Sequence, residues 1–129
     1  MKGKILDSHA LYWFAEDDPK MPPRVKDIIE DEQTEVWVSV VSIWELAIKA
    51  ANGKLELAAQ PEIYFSDLLK KNGFSLLNVT YSHVILAARL PLHHKDPFDR
   101  LIIAQSLVEQ MPVISVDEIF DSYDVTRIW

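Results

Sequence analysis

The sequence contains no cysteine and only three glycines among its 129 residues. Without cysteine, a disulfide framework, a thiol nucleophile and a cysteine-ligated zinc site are all excluded. So little glycine argues against collagen-like, glycine-rich and flexible-linker sequences. No run of 18 apolar residues occurs, and the first six residues mix charged with apolar side chains, so we expect neither a membrane span nor a signal peptide. These absences predict a globular protein of the cytoplasm that does not associate with membranes.

Basic residues are also few, because 13 lysines and arginines face 20 aspartates and glutamates, for a net charge of −7. Hydrophobic residues at 49% and charged residues at 26% are typical of a folded chain. The length suits one domain, which we predict to span residues 1–129. The negative charge disfavours non-specific binding of nucleic acid, since polyanions are bound mainly through cationic contacts. A function on nucleic acid would therefore need something that offsets this charge.

Short apolar and β-branched runs alternate with segments of helical periodicity along the whole chain. The predicted strands are residues 4–7, 36–39, 74–77, 113–115 and 125–128. The predicted helices are residues 8–14, 23–30, 43–51, 61–71, 81–89, 96–109 and 117–120. Alternating strands and helices favour parallel strand pairing, with helices on both faces of the sheet. The sequence thus predicts an α/β/α sandwich around a mainly parallel central sheet.

Four acidic residues lie where one predicted element gives way to the next: Asp7, Glu45, Asp99 and Asp117. In open α/β sheets the ligand crevice lies outside the carboxyl ends of the strands, where the following helices begin. If the sheet is parallel, these four side chains are therefore expected to meet, although they are far apart in sequence.

Each of these acids also has a purely structural interpretation. Ser42 and Glu45 have the spacing of a capping box, and Glu45 also has Lys49 four residues further on, a favourable helical pair. Asp96 before Pro97 is a natural helix N-cap, and an acid such as Asp99 in the first turn complements the positive end of the helix. Taken one at a time, the acids favour helix capping over catalysis.

Taken together, the four acids favour a metal site. Two carboxylates about 4 Å apart repel each other by several kcal/mol, so a cleft holding three or four of them needs protons or a cation. Oxygen ligands without cysteine or a histidine pair select Mg²⁺ or Mn²⁺ over zinc. A bound divalent ion would also offset part of the negative charge and favour phosphodiester chemistry.

Four stretches of this sequence resemble the successive motifs of PIN-domain ribonucleases, in the same order and with similar spacing. They are residues 5–11, 38–46, 94–105 and 112–117. The most specific piece is the run from Asp96 through Pro97, Phe98 and Asp99 to Arg100. Within that superfamily the chain is most similar to the VapC-type toxins of prokaryotic type II toxin–antitoxin pairs.

This resemblance implies a Mg²⁺-dependent (or Mn²⁺-dependent) endoribonuclease that hydrolyses phosphodiester bonds of RNA through a metal-activated water. It assigns the catalytic and metal-binding roles to the acidic quartet, Asp7, Glu45, Asp99 and Asp117. Asp99 matches the third acid of the family better than Asp96, which is then the helix cap. The resemblance also implies a cognate antitoxin that occupies the active site, and frequent homodimerisation.

The residues predicted to contact RNA are Ser8, His94, Lys95 and Arg100. His94, Lys95 and Arg100 belong to the one compact cationic cluster near a proposed acid, although such a cluster is also typical of a solvated loop. Ser8 keeps a hydroxyl where many PIN-domain proteins have threonine. Aromatic residues such as Trp44 are more typical of a core than of a surface on which bases stack.

Two other functions fit parts of the pattern. A non-catalytic PIN-like module would use the same fold to bind a protein partner, and its acids would be helix caps. A phosphoacceptor domain of the receiver type fits less well, because no lysine follows a strand near the C-terminal end.

Overall fold

The computed structural model describes residues 3–129 and contains one five-stranded sheet in this range. All neighbouring strands are parallel, in the order β3-β2-β1-β4-β5. The strands are β1 (Gly3–Leu6), β2 (Glu35–Ser39), β3 (Ser75–Leu77), β4 (Val113–Ile114) and β5 (Arg127–Ile128). The prediction of a parallel sheet is confirmed, with strand ends within about two residues of those expected.

Six α-helices and one short 3-10 helix connect and flank the described strands. They are α1 (Ser8–Ala15), α2 (Pro23–Glu30), α3 (Val40–Ala51), α4 (Pro61–Asn72), α5 (Tyr81–Arg89), α6 (Pro97–Glu109) and the 3-10 helix Glu118–Ser122. Proline occupies the first position of α2, α4 and α6, where its missing N–H is not needed. Gly73 ends α4 in the left-handed conformation, with φ of 66°. None of the described helices is both long and apolar enough to cross a membrane.

The sheet separates two apolar cores because successive strand residues point to opposite faces. Leu6 and Ile114 face the core under α1, α2 and α4. Ile5 and Val113 face the core under α5, α6 and the 3-10 helix. Helices thus cover both faces, and the expected α/β/α sandwich is confirmed.

The start of α3 differs from the prediction. We expected a helix from Ile43 with a capping box between Ser42 and Glu45, but the helix begins at Val40, and its N-cap is Ser39. The Ser39 hydroxyl accepts a hydrogen bond from the Val41 N–H at 3.1 Å. The β-branched residues at 40 and 41 favour a strand locally, but β2 ends at Ser39 and the chain turns there. Glu45 consequently lies in the second turn of α3 and takes no part in capping, which removes its main structural explanation.

The strand register aligns the carboxyl ends of the three central strands. Leu6 of β1 pairs with Val38 of β2 and with Ile114 of β4, so the next residue of each strand reaches the same edge of the sheet. Those next residues are Asp7, Ser39 and Ser115. Helix α3 packs against both α1 and α6. The acid that follows β1 and the acids in the first two turns of α3 and α6 are therefore gathered at one edge.

Candidate active site

Asp7 is the most buried of the predicted site residues, with 4% of its surface exposed. One carboxylate oxygen, Oδ1, caps α1 by accepting the Ala10 N–H at 2.8 Å, and the other, Oδ2, accepts the hydroxyl of Ser115. Burial raises the pKa of Asp7 from 3.8 to about 6, the two hydrogen bonds oppose that rise, and the charges of Glu45 and Asp117 add to it. Asp7 is thus a buried acid whose surroundings destabilise its ionised form.

Asp99 lies in the first turn of α6 and has the same electrostatic character. Burial raises its pKa to about 6, the hydrogen bond from His94 opposes the rise, and the charges of Asp96 and Glu45 increase it. Its Oδ2 is 2.7 Å from His94 Nε2. Asp96 is the N-cap, as predicted, since its Oδ1 accepts the N–H groups of Phe98 and Asp99 at 2.8 and 3.3 Å.

Glu45 interacts electrostatically with the carboxyl groups of both Asp7 and Asp99. Its charge raises the pKa of Asp7 and of Asp99, so it lies near enough to both to repel them. Its side chain is 12% exposed, and its Oε2 is 3.0 Å from Lys49 Nζ, the helical pair expected from the sequence. Three acids from three separate parts of the chain therefore lie near one another at the carboxyl edge of the sheet, where open parallel sheets form their ligand cleft.

Asp117 stands at the solvent-exposed margin of this cleft. Its Oδ1 caps the 3-10 helix by accepting the Ile119 N–H at 3.0 Å, and its own N–H donates to the Ser115 hydroxyl oxygen at 2.9 Å. Its charge raises the pKa of Asp7. Asp117 is thus coupled to the cleft through Ser115 and through its charge, and it has a capping role as well.

The carboxylates of Asp7, Glu45 and Asp99 are close enough to interact electrostatically, but their oxygen atoms do not all lie within 4.8 Å of one another. In the described part of the chain, the group whose potential ligand atoms all lie within 4.8 Å of one another is His94, Asp96 and Asp99. The donor chemistry of the cleft suits Mg²⁺ or Mn²⁺, because its carboxylate oxygens are hard ligands and a cation would offset both the burial of the charged carboxylates and the repulsion between them. Such an ion would compete with Lys49 for Glu45 and with His94 for Asp99.

Three of the residues predicted to contact RNA lie at or near this cleft. Ser8 is the first residue of α1, directly after Asp7, and is 5% exposed. His94 contacts Asp99, and Lys95 next to it is exposed. These placements leave Lys95 available to solvent and make Ser8 a neighbour of a buried acid.

Arg100 is placed differently from the prediction. Its guanidinium donates hydrogen bonds of 2.7 to 3.1 Å to four backbone carbonyl oxygens, those of Ala87, Leu90, Pro91 and His94. The residue is 9% exposed. Its donors are therefore engaged in holding the end of α5 and the following loop, which argues against a contact with substrate phosphate. The sequence contained no indication of this role, because it shows Arg100 only as a cationic residue four positions after the helix N-cap.

Ser115 was missed in the sequence analysis and is the polar link between two predicted site residues. It is fully buried at the end of β4, and it donates to Asp7 while it accepts from the Asp117 N–H. Its position in the sequence could have identified it, because its hydroxyl comes directly after a buried apolar strand and two residues before an acid. That position in a parallel sheet is where ligand-site residues lie.

Comparison with known proteins places this architecture in a family. The family model described as "PIN domain" matches residues 4–125. Ribonuclease VapC22 of Mycobacterium tuberculosis (strain ATCC 25618 / H37Rv) is 27% identical over 118 residues, which are 91% of this chain and 88% of that protein. The structure of VapBC2 from Rickettsia felis bound to a DNA fragment from their promoter aligns with a TM-score of 0.74 at 10% identity, covering 98% of this chain and 97% of that one.

A second solved structure gives the same result. FitAcB from Neisseria gonorrhoeae aligns with a TM-score of 0.67 at 19% identity, covering 98% of this chain and 96% of that one. At such identities the two structures establish the shared fold, while the family model covers nearly the whole sequence. The parallel sheet, the acids at its carboxyl edge and the match over residues 4–125 lead to one conclusion: this chain belongs to the PIN domain family.

Proposed function

We propose that this protein is a metal-dependent endoribonuclease and the toxin of a toxin–antitoxin pair. The observation that carries the proposal is the meeting of Asp7, Glu45 and Asp99 at one sheet edge, where burial raises the pKa of both aspartates and the charge of Glu45 adds to that rise. Perturbed carboxyl groups in a cleft are typical of catalytic sites. Membership of the PIN domain family and the similarity to a protein named as a ribonuclease support the same function.

In this proposal Asp7, Glu45 and Asp99 hold Mg²⁺ or Mn²⁺, and Asp117 contributes directly or through water. The ion would supply activation of water and neutralisation of charge on the phosphate that is attacked. The chain itself fixes the geometry: Ser115 orients the Asp7 carboxylate, and burial makes the carboxylates favour a cation over solvent. Domains of this size bury such a site easily, and we propose that residues 1–129 form one PIN-like domain.

RNA would approach a protein whose net charge is −7, so local positive charge is needed at the cleft. Exposed Lys95 supplies one charge beside the predicted metal ligands, and His94 lies within hydrogen-bond distance of Asp99. We propose that Lys95, His94 and Ser8 contact the RNA, whereas Arg100 supports the loop that carries His94 and Lys95.

The VapC-type resemblance extends the proposal to partners and location. We propose a cognate antitoxin that occupies the acidic cleft, a homodimeric toxin and a cytoplasmic location. A cleft that favours cations is a suitable receptor for a basic antitoxin side chain.

A non-catalytic binding module is the second candidate, and one observation favours it: Asp7, Asp96 and Asp117 all act as helix N-caps. Capping alone accounts for these three aspartates. It does not account for Glu45 and Asp99, which cap nothing yet lie in the same cleft. Substitutions of Glu45 and Asp99 therefore distinguish the two candidate functions.

The deciding experiment is an RNA cleavage assay on the purified protein, with Mg²⁺ and with a chelator. We expect cleavage that needs the metal and that falls about a hundredfold or more in Glu45→Gln, because a metal ligand is lost. Glu30→Gln is the matched control. Glu30 is an exposed glutamate at the end of α2, which leads into the amino end of β2, whereas the proposed site lies at the carboxyl ends of the strands. Metal-independent activity, or a folded Glu45→Gln protein as fast as the parent, would contradict the proposal.

A metal titration separates the second candidate. The nuclease proposal expects saturable binding of Mg²⁺ or Mn²⁺ that is weakened by Asp99→Asn. A binding module expects no saturable binding in either protein.

A further inference from the structure

Trp44 is exposed in a protein whose other tryptophans are partly covered. Its exposed fraction is 58%, whereas Trp13, Trp37 and Trp129 are all half-buried. Among the large hydrophobic side chains of α3, Trp44 alone is exposed. Single exposed apolar side chains are common on protein surfaces, so what distinguishes Trp44 is its position beside predicted site residues.

The ring is fixed beside the acidic cleft. Trp44 directly precedes Glu45 in α3, and Phe98 directly precedes Asp99 in α6. The two aromatic rings contact each other with centroids 5.0 Å apart and planes at 73°. This edge contact lies between the same two helices that bring Glu45 and Asp99 together, and it holds the indole in place while most of its surface stays open.

We propose that Trp44, held by Phe98, is a platform on which one unpaired base of the RNA stacks next to the bond that is cleaved. This inference rests on the proposed ribonuclease function and adds how the substrate is held. Single-stranded RNA is commonly gripped by bases stacked on aromatic side chains, and such stacking needs no positive charge. That matters here because a chain with a net charge of −7 draws little affinity from phosphate contacts.

The surroundings of Trp44 favour a base over a protein partner. A stable protein interface buries on the order of 1,000 Å² or more around a core of several apolar or aromatic side chains. In α3 the other large apolar side chains are buried or half-buried, so on this helix Trp44 offers one ring of the size of one base. The position beside two predicted metal ligands also matches the place where a nucleotide next to the cleaved phosphate must lie.

Three variants test the platform. Trp44→Leu keeps apolar bulk but removes the ring, Trp44→Phe keeps a smaller ring, and Val108→Ala removes exposed apolar surface near the distant end of α6 as a control. Each is checked for fold by its thermal transition. Binding is measured by the anisotropy of labelled single-stranded oligoadenylate and oligouridylate, in a Glu45→Gln background with chelator present, so that the RNA stays intact. Cleavage is measured separately with Trp44 variants of the parent.

We expect Trp44→Leu to weaken RNA binding about tenfold and to raise KM with little change in kcat, because stacking holds the substrate and performs no chemistry. Trp44→Phe should lie between Trp44→Leu and the parent, and Val108→Ala should match the parent. An RNA with one base removed beside the cleaved bond should weaken binding to the parent similarly and add little to the loss in Trp44→Leu.

Two results overturn the inference. If Trp44→Leu binds and cleaves RNA as the parent does, the ring belongs to a protein interface, and the ribonuclease function still stands. If the Glu45→Gln protein and the parent bind no RNA at all, the platform and the proposed function both fail. Cleavage by the parent distinguishes these two cases.

Discussion

The hydroxyl of Ser115 donates a hydrogen bond to Asp7 and accepts one from the backbone N–H of Asp117. One buried side chain from β4 thereby connects the acid that follows β1 with the acid that begins the 3-10 helix. Groups that orient metal ligands in this way commonly change metal affinity 10- to 100-fold when they are removed. The consequence can be measured.

Ser115→Ala should weaken binding of Mg²⁺ about tenfold. The Ser115 bond lowers the pKa of Asp7, so its loss raises that pKa further and leaves less carboxylate for the metal. Ser106→Ala is the matched control, because Ser106 is also buried and donates to a backbone carbonyl, that of Met111, at 2.5 Å. Both variants should lose about 1 kcal/mol of unfolding free energy in urea, and calorimetry should show weaker Mg²⁺ binding only in Ser115→Ala. Equal Mg²⁺ affinities would show that Ser115 is only structural.

The metal-free protein should become less stable as the pH rises from about 4 to about 7. Burial raises the pKa of Asp7 and of Asp99 from 3.8 to about 6, so in this range the folded protein binds more protons than the unfolded chain. Stability then falls with pH, by on the order of 2 kcal/mol for each group. Urea denaturation at pH 4 and at pH 7 measures this change.

Two additions make the pH experiment specific. Asp99→Asn should remove its share of the pH dependence, and Asp67→Asn, at an exposed position of α4, controls for the loss of one negative charge. Saturating Mg²⁺ should stabilise the protein more at pH 7.5 than at pH 5, because protons compete with the metal for the carboxylates. A metal effect that is larger at pH 5 would contradict the assignment of these two acids.

Lys49→Gln should tighten the binding of Mg²⁺. The Lys49 ammonium lies 3.0 Å from Glu45 Oε2, where it competes with any cation for that carboxylate. Stability should change by less than about 1 kcal/mol, as for other partly exposed helical pairs. Lys26→Gln, which breaks an equally short pair with Asp17 on another surface, should leave Mg²⁺ affinity unchanged. Weaker Mg²⁺ binding in Lys49→Gln would show that this lysine supports the site rather than competing with the ion.

Arg100→Lys should destabilise the fold by about 3 kcal/mol, a large effect for an exchange that keeps the charge. A lysine ammonium cannot reach the four carbonyl oxygens that the planar guanidinium binds, and buried carbonyls left without partners are costly. Arg89→Lys, on the exposed end of α5, should have little effect. Thermal and urea transitions measure the change. An Arg100→Lys protein of parental stability but with a raised KM for RNA would return Arg100 to the substrate-binding set.

Most of the fold was predictable from local signals. Helices α2, α4, α5 and α6 begin and end within a residue of the predicted positions because their ends carry local signals, such as proline at the first position or a capping side chain. Examples are Pro61 and Gly73 at the ends of α4 and the aspartate that caps α6 at position 96. The alternation of strands and helices was enough to predict a parallel sheet.

The start of α3 was the main error, and it had a local cause. Two β-branched valines look like the end of a strand, and Ser42 with Glu45 imitates a capping box, so local pattern alone favours a helix from Ile43. Instead, β2 ends at Ser39, one residue after the pairing of Val38 with Leu6, the last residue of β1, and the chain turns there into α3. Sheet register is a long-range property that no local pattern carries.

The sequence by itself determined the parallel sandwich, the identity of the four acids and their positions at the junctions of elements, because helix caps and apolar periodicity act over a few residues. Only the tertiary structure decided how those acids are connected: Ser115 to Asp7, His94 to Asp99, and Arg100 turned away to the backbone of a loop. These contacts join residues through strand pairing and helix packing, and burial in that packing, rather than residue type, is what raises the pKa of Asp7 and Asp99.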